Sequence, residues 1–219
     1  MGSWKAPGPD GYQVGFYKYA LEIIGGDLVK MVKNFYTTGT FDSILGKTFV
    51  VLIPKVREPS KVEDYRPISL CSCAYRILAK TMVERMKPIV ARVITPNQAA
   101  FISGRSIMDH VLLVHEALHT FNKMKRKEGA VMIKIDSNKA YDRLSWEFLQ
   151  ECLLWFGFNE HWIRMVLFCV KVTSIHLMIN GVPSSQIPTS NGIRQGDPLS
   201  PYLFILCQDV LSYALLHLV

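Results

Sequence analysis

Long apolar runs are missing from this chain. The longest, such as Met165 to Val170, fall far short of the roughly 18 residues that a membrane-spanning helix needs, so no membrane partner is expected. A secretory signal is missing too, because Met1-Gly2-Ser3-Trp4-Lys5 leads into no apolar core followed by small residues. Cysteine is sparse: five residues without a C-x-x-C pair argue against both a disulfide framework and a zinc site. A reducing, intracellular setting, nucleus or cytoplasm, is the expectation, with oligomeric state left open. No internal repeat, low-complexity tract or long polar linker interrupts the chain, which therefore reads as one continuous folded unit. Acid is the scarcer charge, 18 residues against 25 basic ones. The resulting net charge of +7 favours a polyanionic partner, because lysine and arginine release counterions from phosphates on binding. Composition alone leaves that partner open, since many basic domains bind no nucleic acid. What is plentiful is apolar side chain: 49% hydrophobic against 20% charged is a globular composition, in a chain long enough to bury a sizeable core.

The opening Lys5-Ala6-Pro7-Gly8-Pro9-Asp10-Gly11 is too rich in Pro and Gly for a helix or strand and should form an ordered turn. Apolar spacing then predicts a helix to Ile24, a break at Gly25-Gly26 and a second helix to about Tyr36. Thr48 to Ile53, stopped by Pro54, reads as a strand, and Tyr65 to Leu70 as its partner in a two-stranded finger. Helical spacing follows at Ile77, Leu78, Met82, Met86, Ile89 and Val90, and again from Ile107 to Met124, where the basic run Lys123 to Lys127 leads to a stop at Gly129. Alternation in Val131 to Asp136 predicts a short strand with Asp136 at its tip. Helices are expected from Ser145 to Gly157 and after a cap at Asn159. Ile175, Leu177 and Ile179 alternate into an Asn180-Gly181 hairpin turn, and a last helix starts with Ser200 as cap and Pro201 at its first position.

Asp136 opens Asp136-Ser137-Asn138-Lys139-Ala140-Tyr141-Asp142-Arg143-Leu144-Ser145-Trp146. A carboxylate at a strand tip suits Mg²⁺, which takes oxygen ligands from one or two carboxylates plus substrate phosphates, although an isolated Asp before a helix is more often a cap. The stretch resembles the first catalytic motif of reverse transcriptases from non-LTR (LINE-type) retrotransposons. Gly192-Ile193-Arg194-Gln195-Gly196-Asp197-Pro198-Leu199-Ser200-Pro201-Tyr202-Leu203-Phe204 resembles the family's next palm motif, and Lys5 to Gly11 its N-terminal signature. Ile53-Pro54-Lys55 with Asp64-Tyr65-Arg66-Pro67-Ile68-Ser69-Leu70 resembles the fingers motif, and Asn97-Gln98 through Phe101, Gly104 and Arg105 the one after it. Five motifs in order cover nearly the whole chain, and their wording is most similar to elements of plant genomes.

The resemblance implies an α+β fold, a right-hand polymerase fragment that is helix-rich with short antiparallel strands. Residues 1–130 would form an N-terminal extension and fingers, and residues 131–219 a partial palm with a finger hairpin at about 174–188. It implies an RNA-directed DNA polymerase working on an RNA template, a DNA primer and dNTPs, with Mg²⁺ or Mn²⁺ as cofactor. Asp136 would be the first metal-binding carboxylate. In such sites paired ions about 3.5–4 Å apart stabilise the attacking hydroxyl and the leaving pyrophosphate. Lys55 and Arg66 would hold the triphosphate, where otherwise they are two solvated surface charges. Tyr141 would lie under the incoming sugar and exclude a 2′-hydroxyl, or, on spacing alone, be a core aromatic. Gln195 and Gly196 would line the template and nucleotide side. Asp142 and Asp197 are ligands in neither motif and fit turn or cap roles better. His115 and His119 share a helix face but find no third ligand for zinc.

The resemblance also implies an Ala-Asp-Asp hairpin after the last helix, and no such sequence occurs in these residues. Two of three catalytic carboxylates are thus outside them. The chain alone is expected to be inactive, with the Val131 to Asp136 edge exposed for want of its neighbour. Two other readings stay open: a decayed remnant that keeps only basic RNA binding, and an RNA-dependent RNA polymerase fragment, against which Tyr141 argues.

Overall fold

A computed structural model describes residues 1–124 and 131–217. Most of the basic run after Lys123, and the expected stop at Gly129, lie outside the described residues.

The opening turn closes with a hydrogen bond from the Gly11 amide to the Gly8 carbonyl at 3.0 Å. It then lies against the point where a strand becomes a helix. The Asp10 carboxylate accepts the Cys73 amide at 2.9 Å, and Gly8 approaches the Cys71 carbonyl and Ser72 amide so closely that a side chain there would collide with backbone. Helices α1 (Val14–Tyr19) and α2 (Leu21–Thr38) follow. The chain turns at Ala20, and Gly25-Gly26 continue α2 instead of breaking it. Two mid-helix glycines cost about 1 kcal/mol each, and the packing of Met31, Val32, Phe35 and Tyr36 on the core offsets this. Gly39, at φ 79°, ends the helix with its amide on the Phe35 carbonyl at 2.8 Å.

Strands β1 (Lys47–Pro54) and β2 (Tyr65–Cys71) pair antiparallel, with Val50 opposite Ser69 and Ile53 opposite Arg66. The expected pairing of these two strands is therefore present, within a larger sheet. Helix α3 (Cys73–Val93) is capped by Ser72, whose hydroxyl accepts the Tyr75 amide at 3.2 Å. It buries Leu78, Met82, Met86 and Val90 on one stripe; Ile89, counted there from spacing, is 44% exposed. Helix α4 (Ile107–Lys123) contributes no buried residue.

Residues 131–136 form no strand. A strand needs a hydrogen-bonded neighbour, and among the described residues the sheet offers this segment none, so Val131, Ile133 and Ile135 stand exposed. The expected strand, with Asp136 at its tip and one edge exposed, is absent.

A single turn of helix, α5 (Ala140–Arg143), leads to α6 (Trp146–Trp155) and α7 (Glu160–Lys171), capped by the side chains of Ser145 and Asn159. Strand β3 (Ser174–Ile179) turns through Asn180-Gly181, both at positive φ, into β4 (Val182–Pro183). The sheet order is β2-β1-β3-β4, and β3 lies parallel to β1, which the purely antiparallel expectation missed. A parallel neighbour has to be reached by a helical crossover, and the long excursion through α3 to α7 supplies one. Helix α8 (Ser200–Leu216) begins one residue earlier than expected. Ser200 is inside it, no side chain caps the helix, and the Asp197 carboxylate accepts the Leu199 amide at 2.9 Å in the turn just before it.

The core lies between α3, α6, α7 and α8, where Leu149, Leu153, Met165, Val166, Leu203 and Leu206 are fully shielded. Each such side chain contributes roughly 1.5–3 kcal/mol. The architecture is α+β, with one mixed sheet set against the helical core.

Candidate active site

The site grows from one glycine-bearing turn. Gly192 and Gly196 both have positive φ, 89° and 112°. At Gly192 a methyl group would come within 2.9 Å of the Asp142 carbonyl; at Gly196, within 2.9 Å of the Ser69 carbonyl. Close approach explains both residues better than turn chemistry alone. Backbone bonds make the approach firm. The Gly192 amide donates to the Leu144 carbonyl at 2.7 Å, the Ile193 amide to Tyr141 at 2.9 Å, and the Trp146 indole N–H to the Gly192 carbonyl at 2.8 Å. On the other side the Ser69 amide, on the outer edge of β2, donates to the Gln195 carbonyl at 2.7 Å. The turn thus ties α5 to the finger strands.

Between them opens a cleft of about 380 Å³. Four of the six residues singled out in sequence line it: Lys55, Arg66, Tyr141 and Gln195. Lys55 is held by its own amide on the Asp64 carbonyl at 2.7 Å and by its ammonium on the Glu63 carbonyl at 2.9 Å. Arg66 is exposed on β2. Tyr141 is half-buried, its ring stacked on Phe204 with centroids 5.0 Å apart, and burial pushes its hydroxyl above the ordinary value. It therefore has one face on the core and still borders the cleft. Gly196 forms the turn behind.

Asp136 is not brought to this cleft. It is exposed in irregular chain and lines neither the cleft nor its neighbour. Among the described residues no three His, Cys, Asp or Glu side chains gather as a metal centre, so what is present does not by itself fit a two-metal site. Asp142 borders the cleft, but Asp197 is buried and fully engaged, consistent with its exclusion as a ligand. His115 and His119 are exposed on α4. All five cysteines are free and buried.

Sequence reasoning passed over two things. Lys139 also lines the cleft, in left-handed backbone at φ 53°, with its ammonium 3.9 Å from Glu63. Its place between Asp136 and Tyr141 was the available signal. Arg194 carries no signal of a role in the sequence, and it is the centre of a buried polar network. Its guanidinium meets Asp197 at 2.7 Å, the Thr48 hydroxyl at 3.2 Å and the Cys169 carbonyl at 3.1 Å, and lies 4.1 Å over the Tyr75 ring. The Tyr75 hydroxyl donates to Asp197 at 2.6 Å. Burial alone would lower the Arg194 pKa, but Tyr75 and Asp197 beside it reverse the direction and raise it. Burial, with Asp197 adding to it, pushes Tyr75 well up, and burial takes the Cys169 thiol up to about 12. A second cavity, about 300 Å³, opens against this network and shares Pro67, Asp142 and Gln195 with the cleft.

The model of the family described as reverse transcriptase (RNA-dependent DNA polymerase) matches residues 53–217. The Xenopus laevis "Transposon TX1 uncharacterized 149 kDa protein" is 28% identical over 204 residues, 92% of this chain and 15% of that protein. The Drosophila melanogaster "Retrovirus-related Pol polyprotein from type-2 retrotransposable element R2DM" is 27% identical over 204 residues, 93% of this chain and 19% of its own length. A short stretch of 35 residues, 16% of this chain, is 66% identical to an uncharacterized mitochondrial protein of Arabidopsis thaliana and covers 29% of it. The chain thus spans less than a fifth of the first two relatives. Because the family model covers most of the chain, including every residue that lines the cleft except Leu52, the chain belongs to the reverse transcriptase (RNA-dependent DNA polymerase) family.

Proposed function

We propose that these residues are the fingers and part of the palm of an RNA-directed DNA polymerase of a non-LTR retrotransposon, and that the cleft holds an incoming deoxynucleoside triphosphate. One observation carries the reading: Lys55, Arg66, Tyr141 and Gln195, far apart in sequence, converge on the same opening. Lys55 and Arg66, joined by Lys139, offer three cations to the phosphates. The arginine can bind two oxygens with its planar fork, and the lysines act as point charges. Tyr141, backed by Phe204, presents a ring edge where a sugar would lie, and a rigid edge leaves no room for a 2′-hydroxyl. The Gln195-Gly196 backbone would border the base and the template strand. In the parent protein the partners would be an RNA template and a DNA primer.

Asp136 would contribute one carboxylate to a Mg²⁺ or Mn²⁺ site. Such ions stabilise the attacking hydroxyl and the leaving phosphate oxygens. The described residues do not complete that site, so no polymerisation step is assigned to them, and by themselves they bind without incorporating.

The test is triphosphate-dependent binding. The chain should bind dTTP and not thymidine, and Lys55→Ala or Arg66→Ala should each weaken dTTP by about tenfold, the equivalent of ~1.4 kcal/mol. Equal affinity in the variants contradicts the reading.

The irregular, exposed backbone at Asp136 favours a second reading, a non-catalytic remnant that binds RNA through its basic surface. That reading predicts salt-sensitive RNA retention that cleft substitutions leave unchanged.

A further inference from the structure

Gln195 and Gly196 sit between two residues that the proposed nucleotide reading does not use. Arg194 and Asp197 face inward, at 8% and 5% exposure, and pair across the turn. Their contacts reach four separate elements: Thr48 on β1, Tyr75 on α3, the Cys169 carbonyl on α7 and the Leu199 amide at the start of α8. The turn between them makes its own contact with a fifth element, the Ser69 amide of β2. A buried ion pair is costly to desolvate and is weak grounds for stability; its better-attested use is to specify one arrangement over others. Here the arrangement specified is the height and tilt of the Gln195-Gly196 turn against β2.

We propose that Arg194, Asp197 and Tyr75 are positioning residues for the cleft: the network fixes the Gln195-Gly196 turn at the strand edge, and through it the wall against which a nucleotide is placed. The network itself touches no substrate. This rests on the reading of the cleft as a nucleotide site, but the turn's position can be measured without any nucleotide. Because one side of the network is finger strand and the other is helical core, any loosening of it lets β2 and the turn move separately.

The variant that separates positioning from mere bracing is the triple Arg194→Met, Asp197→Leu, Tyr75→Phe. Replacing a buried ionic cluster with apolar groups of similar size often leaves a fold intact. Hydrogen exchange at the Ser69 amide reports the turn, and the Leu153 amide in α6 reports the rest of the fold. We expect Ser69 protection to fall by about tenfold or more with Leu153 unchanged, and dTTP affinity to fall by a similar factor. Unchanged Ser69 protection, or a loss that merely tracks Leu153, overturns the proposal, and so does a loosened turn with undiminished dTTP affinity. Should the triple variant not fold, Arg194→Lys is read in the same way: it keeps the charge and loses the fork that spans Thr48, Cys169 and Asp197. A native chain whose dTTP binding is indifferent to Lys55→Ala would refute the nucleotide reading, while the Ser69 measurement still decides whether the network sets the turn.

Discussion

Gly196 is the residue at which the smallest change should be felt most. Its φ of 112° and the Ser69 carbonyl 2.9 Å from where a methyl group would stand leave alanine both strained and crowded. Gly196→Ala should cost about 1–3 kcal/mol, read as a lowered urea midpoint. A midpoint equal to the native chain's would contradict the close approach. Tyr141 makes a different prediction. With its ring stacked on Phe204 it can act as a rigid edge, so Tyr141→Ala should raise the affinity for UTP relative to dTTP, by about tenfold if one excluded hydroxyl is the whole discrimination. An unchanged ratio leaves Tyr141 a core aromatic. Lys55, Arg66, Tyr141 and Gln195, which meet at one cleft, could be singled out in sequence because flanking motifs fixed their register, whereas Gly196 stands behind the cleft and Asp136 away from it. Tyr75 and Arg194 could not be singled out, since Asp197 and Thr48, which they contact, lie 122 and 146 positions away respectively and no local pattern announces such a contact.

Among elements, the loop between β1 and β2 carries a pH signature. The Asp64 carboxylate accepts the Ser60 amide at 2.9 Å and the Lys61 amide at 3.1 Å, and these bonds lower its pKa. A lowered folded pKa means that the stabilisation is present above the ordinary carboxylate value and is lost as pH falls through the folded one. Ser60 and Lys61 amide protection should therefore persist at neutral pH and fade only below about pH 4, and Asp64→Asn should abolish that dependence. Protection that is flat across this range would contradict it. Most elements could be read from the sequence because periodicity and caps agree, as at Asn159 and along the α3 stripe. The exceptions have physical causes. The segment 131–136 has strand alternation but no neighbour to pair with among the described residues, and the β1 to β3 pairing is parallel and non-local, outside what alternation can specify. The glycine pair in α2 is carried by tertiary packing that propensity does not register.

At the scale of the whole molecule, the finger sheet and the helical core meet at the Gln195-Gly196 turn, and the cleft lies along that seam. Apolar surface is uneven around it. Val131, Ile133 and Ile135, with Ile107, Leu112 and Leu113 on α4, are all more than half exposed. Large exposed apolar side chains in such number favour interaction or association, so these residues should bind a hydrophobic dye in the folded state. Silence with that dye would mean the segment is covered in solution. The carboxylates give the corresponding prediction for activity. With Asp136 isolated, primer extension on an RNA template should yield no product above background, and robust incorporation would contradict the assignment of binding without chemistry.

The central claim is that the cleft between the finger strands and α5 receives a deoxynucleoside triphosphate, and photolabelling tests it most directly. An azido-dATP activated in the presence of the chain should label peptides spanning residues 138–142 and Gln195, and excess dTTP should suppress that labelling. Label that falls elsewhere, or that dTTP does not displace, would contradict the account.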